Sequence, residues 1–136
     1  AELNKDVIEK VVLTPYDETT TEVDMGLLFC RFGADFGLAQ KYIYSHSSMK
    51  KNDNKTTIVS VQTKKPINFV VPERTEPAIG SSSILELQLY TKHTGTVVYD
   101  FILDLEDDVP IYMEKMPGKL MHKVFSRLKV FIESLV

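Results

Sequence analysis

Residues 83–136, the last third of the chain, decide the fold: SILELQLYTKHTGTVVYDFILDLEDDVPIYMEKMPGKLMHKVFSRLKVFIESLV. Apolar side chains recur at every second position on both sides of a turn at residues 92–95. This period is typical of strands with one buried face, so the two runs predict an antiparallel hairpin with strands at 84–91 and 96–105. The buried face is predicted to carry Leu85, Leu87 and Leu89 in the first strand and Val97, Tyr99, Phe101, Leu103 and Leu105 in the second. Gly95 is expected to supply a positive φ in the turn.

A helix is predicted to follow Pro117 and Gly118. At about 100° per residue, nine apolar side chains fall on one continuous arc of this helix. They are Leu120, Met121, Val124, Phe125, Leu128, Phe131, Ile132, Leu135 and Val136. Pro117 suits the first turn, where its missing N–H costs nothing. A helix with such a stripe must cover an apolar surface, so we expect it to close the core against the hairpin, with folding alone accounting for all nine positions.

Alternating patterns also predict strands upstream. Apolar and polar residues alternate over residues 21–29 and 56–63, which predicts a strand in each. Residues 67–71 are predicted as a third, short strand. Residues 36–45 are predicted as a strand, with a helix over 38–44 as the alternative. Residues 45–55 and 72–83 are polar or rich in Pro, Gly and Ser, and are predicted as loops, while residues 33–35 are a predicted turn. Over residues 1–13, apolar residues at i, i+4 and i+8 favour a short helix; the alternative is a strand that begins at residue 11.

These segments predict one α+β domain over residues 1–136. Its predominantly antiparallel sheet has six or seven strands, arranged as a roll or a small sandwich, and the C-terminal amphipathic helix closes it. The element order suits a roll of the pleckstrin-homology type, in which the helix plugs one end of a bent sheet. It also suits a helix-grip fold, in which the sheet wraps the helix around an apolar cavity. Both are analogies of element order, and a fold does not fix a function.

The composition narrows the class of protein. Apolar residues make up 43% of the 136 residues and charged residues 26%, as in ordinary globular domains. The formal net charge of −3 disfavours nucleic acid as a partner. No apolar run approaches the roughly 20 residues that span a bilayer. The absence of a signal-like segment in residues 1–13 and of any cysteine pair favours a cytoplasmic location.

No motif predicts catalysis. Asp35-Phe36-Gly37 spells the metal-binding tripeptide of protein kinases, but the glycine-rich and His-Arg-Asp loops that must accompany it are absent. His46, His93 and His122 lack the local ligand pairs of zinc sites, so we expect them at the surface. Cys30, in an apolar setting, is expected to be a buried, unreactive thiol. The sequence therefore predicts no catalytic residue, no metal and no cofactor, and a protein that is not an enzyme.

The leading hypothesis is a module that assembles with a protein partner or with a second copy of itself. Blocks of opposite charge, and apolar side chains on strand faces predicted to be wet, motivate it. The first alternative is a peripheral module, pleckstrin-homology-like or viral-matrix-like, that binds an anionic membrane or a phosphoinositide through lysines. The second is a helix-grip binder of a small apolar ligand. The candidate interaction residues are Lys50, Lys51, Lys55, Ile84, Tyr90, Val98, Asp100, Ile102, Asp104, Lys119, Lys123 and Arg127.

Overall fold

A computed structural model of the protein describes residues 2–15, 18, 21–32, 37–63, 68–78, 82–102 and 115–135. The chain opens with a short 3-10 helix, Glu2–Asn4. The strands are β1 (Ile8–Pro15), β2 (Glu22–Phe29), β3 (Gln40–Asn52), β4 (Lys55–Gln62), β5 (Thr75–Pro77), β6 (Ser82–Leu89) and β7 (Gly95–Ile102), and the helix α1 spans Met116–Ser134. The predicted α+β class, with a seven-stranded sheet and a long C-terminal helix, is confirmed.

Six of the strands form an antiparallel path in the order β1-β2-β3-β4-β6-β7, so β1 and β7 are the edges of the sheet. β5 lies off this path and pairs in parallel with the first residues of β3. β4 pairs with β3 only from Ser45 onward. β5 therefore lies along the same edge of β3, beside residues 40–42, where β4 has no pairing. Neighbours in sequence are therefore mostly neighbours in space, which keeps the connections short.

The two sides of the sheet can be told apart by one contact with the helix. The rings of Tyr99 in β7 and Phe125 in α1 have centroids 4.6 Å apart. The side that carries Tyr99 is therefore called the helix-facing side, and the opposite one the outer side. Directly paired residues of neighbouring strands share a side. From Tyr99 the pairs lead through Leu85 and Ile58 to Met49, so these residues also lie on the helix-facing side.

The most deeply buried apolar core lies on the outer side, between the sheet and residues 68–78. Leu28, Tyr44 and Phe69 form its centre, and Val12, Tyr42 and Val71 pack against them. Phe69 is completely buried, edge-on to Tyr44 with ring centroids 5.1 Å apart. The ring lies directly over Gly26 of β2, and a Cβ at that position would overlap it. Glycine at this position of the strand thus allows an aromatic side chain to pack directly on the backbone.

The structure corrects the predicted N-terminal segment and two loops. The helix expected over residues 1–13 is limited to Glu2–Asn4, and β1 begins at Ile8 because β2 offers it a hydrogen-bonding partner along its whole length. β3 is a strand from Gln40 and continues through Asn52, so the loop expected at 45–55 is only a turn. β5 occupies part of the loop expected at 72–83.

Two smaller predictions are also wrong. Residues 68–71, the described part of the strand expected at 67–71, are not in a strand. Gly95 has no positive φ; a Cβ there would lie 2.6 Å from the carbonyl oxygen of Gln88, which explains the glycine sterically. A positive φ is found in the other hairpin, that of β3 and β4, where Asp53 has a φ of 48°. The turn predicted at 33–35 and the end of the second hairpin strand, 103–105, lie outside the described residues.

Candidate functional site

One turn of α1 contacts both edges of the sheet. Phe125 packs on Tyr99 of β7, whereas Lys123 and Arg127 bind Asp6, which lies two residues before β1. In a flat sheet of this order, five strand spacings would separate the edges by about 24 Å. Residues 123–127 span only about 6 Å of helix axis, and their side chains cover part of the remaining distance. A sheet that curves toward α1 accounts for both contacts, and we call its helix-facing side the concave side.

Asp6 anchors the helix to the start of the chain. The Arg127 guanidinium donates to both carboxylate oxygens, and its Nη2 lies 3.1 Å from Oδ2. Lys123 Nζ lies 2.5 Å from the same oxygen, and Arg127 Nη1 also donates to Oδ1 of the buried Asn4 at 3.3 Å. The hydrogen bonds from Arg127 and then Lys123 hold the pKa of the Asp6 carboxyl well below its usual range. These contacts fix where the helix lies along the sheet.

The concave side is apolar, and its side chains are only partly covered. Among the described strand residues on this side, no apolar side chain is fully buried. The half-buried ones include Val11, Val23, Met25, Leu27, Ile43, Met49, Ile58, Leu85, Leu87, Tyr99 and Phe101. The predicted inward faces of the two hairpin strands are thus correct in direction for the described residues, up to Phe101. Leu89 and Val97 are nevertheless exposed, and the other side chains do not meet a filled core.

The apolar stripe of α1 is equally incomplete in its packing. No residue of Met116–Ser134 is fully buried, and Phe131 and Ile132 are 48% and 52% exposed. Phe125, nearly two turns earlier, is half-buried against Tyr99. The expectation that folding alone accounts for the whole stripe is therefore wrong for the second half of the helix, where apolar side chains remain in contact with water.

A group of hydroxyls interrupts the concave side near its centre. Ser45 and Ser47 of β3 are both buried, and Ser47 pairs directly with Ser60 of β4. The Oγ atoms of Ser47 and Ser60 are hydrogen-bonded at 2.7 Å. Oγ of Ser45 is buried without a hydrogen-bond partner. Most buried polar atoms in proteins have one, so this hydroxyl requires an explanation.

The three lysines predicted to meet an anionic surface surround one hairpin tip but do not share a face. Lys50 and Lys51 are exposed near the end of β3, and Lys55 begins β4 after the turn. By alternation, Lys50 and Lys55 lie on the outer side and Lys51 on the helix-facing side. Lys55 Nζ is 3.3 Å from Glu86 Oε1. Binding to an anionic surface stays an untested prediction.

Five apolar side chains remain exposed together on the outer side of β4, β6 and β7. They are Val59, Val61, Ile84, Val98 and Ile102, from 37% to 65% exposed. Ile84 lies between its direct partners Val59 and Asp100. We call the five residues the outer apolar patch. The structure thus brings together Ile84, Val98 and Ile102, which were predicted as interaction residues, with Asp100 among them.

The other predicted interaction residues lie elsewhere. Tyr90 is exposed in the turn after β6, and its hydroxyl is 3.1 Å from Thr96 Oγ1. Lys119 is exposed near the start of α1, whereas Lys123 and Arg127 are engaged by Asp6. Asp104 lies outside the described residues. The described candidates therefore belong to four places: the tip of the β3–β4 hairpin, the β6–β7 turn, the outer apolar patch and the polar face of α1.

His46 is half-buried on the outer side and is not the surface histidine that was expected. Its Nδ1 lies 3.0 Å from Oδ1 of Asp24, its direct partner in β2, and its Nε2 lies 3.4 Å from Oε1 of Glu22. The hydrogen bond with Asp24 and, more weakly, that with Glu22 raise the pKa of the imidazole, against the opposing effect of partial burial. His93 and His122 are exposed, as expected.

Cys30 is less buried than expected, and its surroundings disfavour a reactive thiolate. Cys30 is half-buried, and its Sγ donates to the carbonyl oxygen of Lys5 at 3.2 Å. Burial, followed by the carboxylates of Glu9 and Asp6, raises the pKa of the thiol, which disfavours the nucleophilic thiolate. Within the described ranges, no three His, Cys, Asp or Glu side chains are grouped so that they could hold a metal ion. The helices of the same ranges are too short or too polar to cross a bilayer.

The fold is similar to that of human STARD10 in its crystal structure. The two superpose with a TM-score of 0.69 over 97% of this chain at 10% sequence identity. The match covers 54% of the STARD10 chain, so this chain spans about half the length of that one. No protein-family model matches the sequence, and no curated protein does. At such low identity the likeness shows a shared fold only.

Sequence reasoning missed the hydroxyl group and the anchor at Asp6. Ser45 and Ser47 were assigned to the edge of a polar loop, although Ile43 and Met49 continue the same alternation on either side of them. That alternation was the available signal for a strand with a polar centre. No local signal pointed to Asp6, because its partners Lys123 and Arg127 are more than a hundred residues away.

Proposed function

We propose that the protein is a non-enzymatic binder of a lipid-like, apolar molecule, which lies between the concave side of the sheet and α1. The observation that carries this proposal is the half-buried apolar lining opposite a helix stripe that stays exposed at Phe131 and Ile132. Apolar surface left in water is unfavourable by about 25 cal/mol per Å². An apolar ligand would cover both surfaces at once, and concave, mostly apolar sites are typical of small-molecule binding.

The likeness to STARD10 supports this choice over the leading sequence-based hypothesis. STARD10 is a START-domain, lipid-binding protein with a helix-grip arrangement of sheet and helix. The curled sheet and the C-terminal helix of this chain have the corresponding arrangement. Because the chain spans only about half of the STARD10 chain, the identity of the ligand and any activity of a longer protein are part of the proposal. An intracellular location remains a prediction.

The proposal is tested with diphenylhexatriene, an apolar hydrocarbon that fluoresces strongly only away from water. We expect the purified protein to bind it saturably. Ile58→Trp places a large ring on the concave side and should weaken binding at least roughly ten-fold while leaving the thermal midpoint unchanged or higher, because the ring fills the site. The matched control is Val59→Trp, one residue away on the outer side, which should bind as the wild type does. Equal loss in both variants, or no binding by the wild type, would contradict the proposal.

A second candidate function is assembly through the outer apolar patch. Exposed apolar side chains grouped on one surface often mark a protein interface. Light scattering at high concentration, in low and high salt, should then show a dimer or larger species. Ile84→Lys combined with Ile102→Lys should give a monomer that still binds diphenylhexatriene. A wild-type protein that is strictly monomeric in both salts would remove the self-association hypothesis.

A further inference from the structure

Two hydroxyl oxygens of the described residues are buried without a partner, and they lie on opposite sides of the sheet. The Tyr44 hydroxyl belongs to the filled outer core, where the centroid of the Tyr44 ring lies 5.1 Å from that of Phe69 and 4.7 Å from that of Tyr42. Ser45 is the next residue, so its side chain points to the concave side. On that side its direct cross-strand partners are Met25 of β2 and Gln62 of β4. Side chains cover the Ser45 hydroxyl in this structure, and a ligand that enters the concave side reaches it by displacing them.

The register confirms the side on which Ser45 lies. In β2 its direct partner is Met25, and Met25 in turn pairs with Leu13 of β1. Two and four residues further along β3 come Ser47 and Met49, and Met49 connects through Ile58 and Leu85 to Tyr99, which contacts the helix. Ser45 is only 3% exposed, so bulk water does not satisfy its hydroxyl.

The adjacent serines add hydrogen-bonding capacity at the same place. In the Ser47–Ser60 hydrogen bond one hydroxyl donates and the other accepts, so one O–H proton of the pair remains uncommitted. The Ser45 hydroxyl has both its proton and its lone pairs free. The centre of the concave side can therefore donate two hydrogen bonds to an oxygen atom that would otherwise be placed among apolar side chains.

Charged side chains on the helix-facing side of β3 stand at its two ends. Lys41 pairs with Glu76 at 2.8 Å, and its Cα lies about 13 Å along the strand from that of Ser45. Lys51, beside the hairpin turn, lies about 20 Å away by the same measure. A charged headgroup at the hydroxyls would have no opposite charge beside it among these residues and would be costly to bury. The site suits an uncharged oxygen.

We propose that Ser45, supported by the Ser47–Ser60 pair, binds an uncharged ester or hydroxyl oxygen of an otherwise apolar ligand. This inference rests on the proposed function and adds the chemical class of the ligand: a neutral lipid-like molecule that carries an oxygen part-way along its apolar body or at one end. Ser45 is a binding residue in this proposal, and its unpaired hydroxyl is the group that the ligand satisfies.

The test measures displacement of bound diphenylhexatriene by three C18 probes delivered from cyclodextrin: oleyl acetate, oleyl alcohol and 1-octadecene. The wild type should bind at least one of the two oxygen-bearing probes more tightly than 1-octadecene, by roughly three- to ten-fold for one net hydrogen bond. If only oleyl acetate is preferred, the ligand oxygen that Ser45 binds is a carbonyl acceptor. If oleyl alcohol is preferred, that oxygen is a hydroxyl. Ser45→Ala should abolish the preference while leaving the affinities for diphenylhexatriene and 1-octadecene unchanged.

Ser48→Ala is the matched control, because Ser48 lies three residues further along β3 on the outer side. It should retain the preference. The inference is overturned if the wild type binds all three probes equally, or if Ser45→Ala keeps the preference for oxygen. In both cases diphenylhexatriene still binds, so the proposed function stands. If the wild type does not bind diphenylhexatriene or any C18 probe, the proposed function fails and this inference fails with it.

Discussion

Gly26 is the described residue at which added volume conflicts most directly with the outer core. Its Cα faces the completely buried ring of Phe69, and a Cβ would overlap three atoms of that ring. We expect Gly26→Ala to lower the free energy of unfolding by about 1–3 kcal/mol, because the ring must shift within a packed core. Urea denaturation checks this. Gly118→Ala in α1, where a Cβ meets nothing within 4 Å, should be neutral or stabilising; equal destabilisation in both variants would contradict the packing argument.

His46 makes stability depend on pH near neutrality. Asp24 and Glu22 face its ring from β2, and they raise its pKa in the folded protein above the usual 6.5. The protonated form therefore stabilises the fold fully below about pH 6.5, and this contribution is lost as pH rises through the folded pKa. His46→Gln should be less stable than the wild type at pH 5.5 and closer to it at pH 9. His93→Gln, in an exposed turn, should follow the wild type at both values, and parallel profiles for His46→Gln and the wild type would refute the assignment.

At the scale of elements, the position of α1 depends on Asp6. Asp6→Asn removes the charge that Arg127 and Lys123 share, so the amides of α1 should exchange hydrogen faster and the thermal midpoint at pH 7 should fall. The folded pKa of Asp6 is depressed, so its contribution is present above about pH 4 and is lost as pH falls through the folded pKa. Glu133→Gln, which removes the exposed pair with Lys129 at 3.7 Å, is the control and should change little. Unaltered exchange of α1 in Asp6→Asn would show that the anchor is unimportant.

The elements that the sequence predicts well are those with a strong local period. β2, β4, β6, β7 and α1 alternate or repeat in a way that only one secondary structure satisfies. The N-terminal segment fails this condition, since Leu3, Val7 and Val11 suit a helix, and the strand is chosen only through pairing with β2. The polar second half of β3 carries a single apolar residue, Met49, which is too weak a signal to predict a strand. β5 is a strand of three residues that needs the edge of β3 to exist.

The candidate site belongs to the whole molecule, and this explains why the sequence revealed it only in part. Inward-facing Leu85, Tyr99 and Phe101 were predictable from alternation within one hairpin. The hydroxyl group at Ser45, Ser47 and Ser60 depends on the register of two strands, and the concavity depends on contacts between α1 and both edges of the sheet. Such contacts join residues far apart in the chain, and no local pattern encodes them.

Ligand binding should stabilise the molecule as a whole. A ligand that binds only the folded state adds about 2.7 kcal/mol at a free concentration one hundred times its Kd. Thermal shift with oleyl acetate or oleyl alcohol measures this gain, and hydrogen exchange should show new protection in the second half of α1, around Phe131 and Ile132. Protection confined to the outer apolar patch would indicate a different binding surface. Ile58→Trp, with its site filled, should show neither effect.

The incompletely covered stripe of α1 also bears on the life of the protein in a cell. An empty molecule presents Phe131, Ile132 and Leu135 to its surroundings, as a partly unfolded chain would. Chaperones and proteases select chains by such exposed apolar side chains and by the fraction that is open. Under the proposed function, we therefore expect the steady-state abundance of this protein to follow the supply of an apolar ligand, with empty copies removed faster than loaded ones.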